Sequence, residues 1–242
     1  MFSSLKNYLY RHLFSIAPES LRQIYFRTKV LVPKKVLTQK FSEAIEFLKH
    51  NGPINDYLEF GVFRGDSLIC MYQALKQHKI NHSRLFGFDS FEGLPEIKDK
   101  YDKKLPWQKG EFVSALATTR GNLNRAHVNW NRVFLIKGYF NNTLNKNLID
   151  KHNLKSASII MIDCDLYSSA REALDFCASM INDRTIIFFD DWAAGGEKLA
   201  FNKMLKANPD LIAQEFGSYV HSEQKNPYTA KIFLVTRKKR KN

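Results

Sequence analysis

The residues of this sequence best suited to chemistry are carboxylates that follow short apolar runs. Residues 158–162 lead into Asp163-Cys164-Asp165, and residues 186–189 lead into Asp190-Asp191. Acids grouped in this way repel one another, so burying them together is costly unless a cation or a proton joins them. Oxygen ligands favour a hard ion, so this group of acids points to Mg2+ or Ca2+ rather than zinc. The competing reading is that Asp165 or Asp191 caps the helix that follows it. A second constellation lies earlier in the chain. Residues 57–62 form an apolar run that passes through Glu59 into a turn with two glycines, Gly61 and Gly65, before a helix-like stretch opening at Ser67. Such a turn lets the backbone approach a ligand at a helix N-terminus. About thirty residues after that run begins, a second run ends in Asp89-Ser90, where an acid can accept the ribose hydroxyls of an adenosine cofactor.

These residues share a site only if the runs that carry them are neighbouring strands. The order of elements implies that they are. Strand-like runs at 57–62, 85–89, 133–137, 158–163 and 185–190 alternate with helix-like stretches at 67–79, 143–152, 168–181 and 197–207, and a helix at 36–50 precedes them. Alternation of this kind is the signature of βαβ units, hence an α/β fold with a mostly parallel sheet and helices on both faces. The runs 211–220 and 230–237 are close in sequence and predict an antiparallel hairpin at the sheet edge. In an open parallel sheet, ligands bind at the carboxyl ends of the strands, which is where the acids fall.

The segments YLEFGVFRGDS, LFGFDSFEGLP, VFLIKGYFNNTL, SIIMIDCDLYSSAREAL and IIFFDDW, in this order and spacing, resemble the macrocin O-methyltransferase family over roughly residues 40–207. The catechol O-methyltransferases are more distantly similar. The resemblance implies a class I methyltransferase (Rossmann-like) sheet of seven strands, with S-adenosylmethionine over the first two strands and Mg2+ at the acids. It implies further that Gly61, Phe63 and Ser67 contact the methionine half of the cofactor beside Gly65, with Glu59 supporting the loop. By the same resemblance, Asp89 holds the ribose with Ser90 beside it, Phe140 and Asn141 lie near adenine, and Asp163, Asp190 and Asp191 hold the metal, Asp163 also bordering the cofactor. The expected reaction is methylation of a sugar or diol hydroxyl on a small molecule or glycan, through metal-assisted deprotonation and in-line transfer. The lysine base of the catechol enzymes falls on Leu166 here, which leaves Asp165 and His221 as candidate bases alongside the catalytic Asp163. Asn141-Asn142 stands where the family often has an acid.

Composition narrows the alternatives. The net charge of +13 sits largely at the ends: residues 1–40 carry eight Lys/Arg and one acid, and residues 237–241 add five basic side chains. A nearly neutral centre has no surface for tracking phosphates, which disfavours nucleic acid. Three cysteines without a CxxC pair suit reduced core thiols, and no run reaches the length of a membrane span, so a cytoplasmic protein is expected. We divide the chain into an N-terminal extension (1–35), a catalytic domain (36–236) and a basic tail (237–242). The aromatic, basic extension offers a peripheral membrane contact or a homo-oligomer interface. The long connection at 96–125 reads as a lid over the acceptor. Two other functions remain in play. One is a glycosyltransferase using Asp163-Cys164-Asp165 to chelate Mg2+ on a sugar nucleotide, which leaves Asp89 idle. The other is a methyltransferase-like binding module without activity, against which the crowded acids argue.

Overall fold

The computed structural model describes residues 18, 32–105, 107–181, 183–194, 196–220 and 229–238. Most of the N-terminal extension, His221 and most of the basic tail therefore lie outside the described residues. Seven strands form one sheet in the order β3-β2-β1-β4-β5-β7-β6: β1 (Asp56–Phe60), β2 (Leu85–Asp89), β3 (Val133–Lys137), β4 (Ala157–Ile162), β5 (Thr185–Phe189), β6 (Leu211–Val220) and β7 (Thr229–Arg237). The first five run parallel and the last two form the antiparallel edge hairpin.

Every residue of β1, β4 and β5 is buried, as central strands are when helices cover both faces. Alternate residues of each strand serve opposite cores. Tyr57, Ile159, Met161, Ile186 and Phe188 pack with α1 (Lys34–Lys49) and α2 (Asp66–Gln77). Leu58, Phe60, Ile160, Ile162 and Phe189 pack with α6 (Tyr167–Cys177) and α7 (Gly196–Ala207). Helix α1 shows the sequence logic directly, since Leu37, Phe41, Ala44, Ile45 and Leu48 recur at three- and four-residue spacing and are its buried residues. The remaining α-helices among the described residues are α3 (Leu116–Arg125), α4 (Phe140–Thr143) and α5 (Lys146–His152).

Most element ends fall within two residues of the sequence expectation, and three differences have a local cause. The helix expected at 143–152 is two pieces, because Asn145 takes extended backbone angles and its side chain accepts the Leu148 amide, starting α5 afresh. The helix expected at 168–181 becomes a 3-10 turn at Ala178–Met180. β1 stops at Phe60 because Gly61 adopts φ 90°. All three cysteines are free and buried. Among the described residues no helix is long and apolar enough to cross a membrane.

Candidate active site

Strand register delivers the acids. The ladder continues past the strand ends, with the Asp163 amide donating to the Phe60 carbonyl (2.9 Å), the Asp190 amide to Ile162 (3.1 Å) and the Gly61 amide to Phe88 (2.9 Å). Asp163, Asp190 and Asp191 thus meet at one edge of the sheet, each offering an oxygen within 4.8 Å of the others. Burial, then the charges of Asp190, Asp191 and Asp165, push the Asp163 carboxyl well above its ordinary range. Asp165 is raised likewise, by burial and then by Asp191 and Asp190, and it holds a left-handed backbone (φ 60°), strain of a kind found at functional sites. An all-oxygen set under this repulsion fits a hard divalent cation, which would relieve the repulsion that burial imposes.

Asp165 is not absorbed by the helix that begins after it. Helix α6 is capped from outside: Asp102, fully buried in the long connection, accepts the amides of Tyr167 (2.7 Å) and Ser168 (3.1 Å). The expected lid is accordingly fastened at this point. It is fastened again where the Thr119 hydroxyl donates to the Phe63 carbonyl (2.5 Å) and the Asn122 amide to the Arg64 carbonyl (2.9 Å).

The cofactor-type loop is held from below. One oxygen of Asp89 accepts the amides of Val62 and Phe63, both at 2.8 Å, and the other accepts the Phe91 amide at 2.6 Å. Two of these bonds fall on Oδ2 and one on Oδ1. Burial raises the Asp89 carboxyl while the Phe63, Phe91 and Val62 amides oppose the rise. Ser90 is occupied in its own turn, donating to the Gly93 carbonyl and accepting the Glu92 amide. Glu59 is fully buried and accepts both the Tyr57 hydroxyl (2.6 Å) and the Ser67 hydroxyl (2.7 Å). Desolvation pushes its carboxyl up to about 8 against those two hydrogen bonds. Ser67 therefore ties the start of α2 to Glu59. Phe63 takes φ 48°. Gly65, at φ 81°, would drive a Cβ to 2.5 Å from Leu123 of α3. Phe140 packs edge-on against Phe60 at the end of β1, at 5.7 Å, and the Asn141 amide bonds Glu172 of α6.

Two residues of the acid site escaped the sequence reading. Tyr219, buried in β6, donates its hydroxyl to Asp190 Oδ1 at 2.8 Å. Glu197, fully buried at the start of α7, accepts the Asp191 amide on Oε2 at 3.0 Å, while its Oε1 has no hydrogen-bond partner. A buried acceptor left unmade costs about 1–3 kcal/mol. Burial, then Asp191, Asp190 and Asp165, raise the Glu197 carboxyl well above its ordinary range. A segment opening Gly196-Glu197 reads as an ordinary helix start with an acid in its first turn, so nothing marked it.

Comparison with known proteins agrees with this fold. The structure is similar to that of the O-methyltransferase NovP, with a TM-score of 0.66 and 18% identity over 84% of this chain and 79% of that one. It is also similar to the calicheamicin methyltransferase CalS11, with a TM-score of 0.63 and 17% identity over 97% and 91%. These establish the fold, a class I methyltransferase sheet. In sequence the chain is 29% identical over 155 residues to the 8-demethyl-8-(2,3-dimethoxy-alpha-L-rhamnosyl)-tetracenomycin-C 4'-O-methyltransferase of Streptomyces olivaceus, covering 62% of this chain and 58% of that protein. It is 26% identical over 159 residues to the demethyldecarbamoylnovobiocin O-methyltransferase of Streptomyces niveus, covering 64% and 59%. The chain thus spans somewhat under six-tenths of the length of these relatives. A family model, Macrocin-O-methyltransferase (TylF), matches residues 29–214, and the chain belongs to that family.

Proposed function

We propose that the chain is an S-adenosylmethionine-dependent O-methyltransferase that uses Mg2+ and methylates a hydroxyl of a sugar or a diol-type small molecule, in the cytoplasm. The observation that carries this reading is the meeting of Asp163, Asp190 and Asp191 within 4.8 Å beside a loop built on Asp89. When bound, S-adenosylmethionine supplies an electrophilic methyl group and Mg2+ lowers the pKa of the acceptor hydroxyl that receives it.

The chain's own residues do the rest. Asp89 fixes the 61–63 loop by its amides and is the acceptor for a ribose hydroxyl. Gly61 lets that loop lie against the Asp163 carbonyl. Asp163, Asp190 and Asp191 hold the cation, and Tyr219 orients Asp190 through a hydrogen bond. Asp165, released from helix capping by Asp102, takes the acceptor proton. His221, the other candidate base, lies outside the described residues. The relatives from Streptomyces are named for methylation of sugar-bearing antibiotics, which supports a sugar acceptor.

The test is calorimetric titration of S-adenosylmethionine, with and without Mg2+, into the wild type and the Asp89→Ala and Asp163→Ala variants. Binding that Asp89→Ala abolishes, and a Mg2+ response that Asp163→Ala abolishes, are expected. A folded wild type that ignores the cofactor sinks the reading and makes sugar nucleotides the next ligands to try.

A further inference from the structure

Among the described residues, Glu197 is the one carboxylate with a fully buried oxygen that has no hydrogen-bond partner. Its Oε2 is accounted for by the Asp191 amide. Its Oε1 is buried without a partner, a state shared among the described residues only by Arg64 Nε. The tie to Asp191 alone does not explain a carboxylate, because a glutamine would accept the same amide and cost less to bury beside three aspartates. Nor is Glu197 remote from the acids, for its charge acts on Asp163 and is the foremost charge acting on Cys164. Its place in the first turn of α7 favours a negative charge through the helix dipole. A buried acceptor at the rim of a cation site needs a donor that arrives with the ion, and Mg2+ typically keeps several of its waters.

We propose that Glu197 completes the metal centre as a positioning residue: Oε2 fixes the backbone of Asp191, and Oε1 accepts a hydrogen bond from a water in the cation's shell. This rests on the metal reading above and adds a residue to it. The consequence is that cation affinity depends on a side chain that is not itself a ligand.

The test uses the full chain with Mn2+ alone, in place of Mg2+, followed by the loss of the free-ion electron paramagnetic resonance signal. Glu197→Gln keeps the volume and the acceptor for Asp191 but turns the empty oxygen into an amide donor. It is expected to weaken Mn2+ binding 10- to 100-fold while its melting temperature in chelator stays at or above that of the wild type. Glu197→Asp, which withdraws the carboxylate by one methylene, carries the same expectation should the glutamine variant fail to fold. A variant that binds Mn2+ as tightly as the wild type overturns the proposal and leaves the metal reading standing. A wild type that binds no Mn2+ overturns both.

Discussion

A Cβ placed on Gly61 would lie 1.7 Å from the carbonyl oxygen of Asp163. The two residues end neighbouring strands, so this contact joins the cofactor-type loop to the acid site at the backbone level. Gly61 also holds φ 90°, a conformation costly to any other residue. Gly61→Ala is therefore expected to move Asp163 as well as the loop. Strain and overpacking together predict a loss of about 3 kcal/mol of stability, read from urea unfolding, together with lost cofactor binding and lost metal response. A variant that keeps both responses would mean that the two sites are not mechanically joined.

Asp89 performs two tasks with one carboxylate, and Asn cannot do both. Its amide has one acceptor oxygen, so the Val62 and Phe63 amides or the Phe91 amide must face an NH2 group. Asp89→Asn is expected to cost about 1–3 kcal/mol and to weaken S-adenosylmethionine binding in calorimetry. Ala at the same position is expected to lose binding altogether.

Asp102 caps α6 from about sixty-five residues upstream. Asp102→Ala removes the acceptor for two helix N-terminal amides, an effect of about 2 kcal/mol. The connection it anchors should then exchange its amide hydrogens faster, with the change concentrated in residues 99–105 and the first turn of α6. Equal exchange in wild type and variant would show that the fastening depends on Thr119 and Asn122 instead.

Glu59 gives a pH dependence with a definite sign. Its carboxyl is raised from about 4.5 to about 8 in the fold, so between those values the folded state holds a proton that the unfolded chain releases. Its contribution is fully present below pH 4.5, erodes as pH rises and is gone above about pH 8, with a slope of at most about 1.4 kcal/mol per pH unit. Denaturant titrations of wild type and Glu59→Gln from pH 5 to 8.5 should show the wild type losing ground to the variant as pH rises. Parallel curves would mean that Tyr57 and Ser67 keep the carboxylate ionised throughout.

What the sequence revealed and what it hid divide along a physical line. The strands were legible because residues such as 159–162 and 186–189 are apolar without interruption, and the acids were legible because they follow those runs directly. The position of Asp89 was legible too, but its Val62 and Phe63 amide partners were not, since they belong to a loop some twenty-seven residues earlier whose backbone angles no pattern encodes. Asp102, Glu197 and Tyr219 were illegible for the same reason. Each is a common polar residue in an ordinary setting, given meaning by a hydrogen bond outside any regular element, across sixty-five residues for Asp102, twenty-nine for Tyr219 and six for Glu197. Asn145 is the local exception, an N-cap inside an otherwise helical stretch that a closer reading of capping preference would have found.

The acid site sets the sign of a last prediction, because its charges work against the fold until something compensates them. Asp163 pays for burial and for the proximity of Asp190 and Asp191 at once. Replacing it by Asn removes one of the three charges while keeping the shape, so in chelator at neutral pH Asp163→Asn is expected to melt at or above the wild type. Added Mg2+ should reverse the order. An ion that binds only the folded wild type stabilises it by about 2.7 kcal/mol at a hundred times its dissociation constant, which for a chain of this size corresponds to about 5–10 °C in melting temperature. The variant, short of one ligand, should gain little. The crossing of the two melting curves with metal is the diagnostic feature, since a purely structural aspartate would make the variant less stable under both conditions.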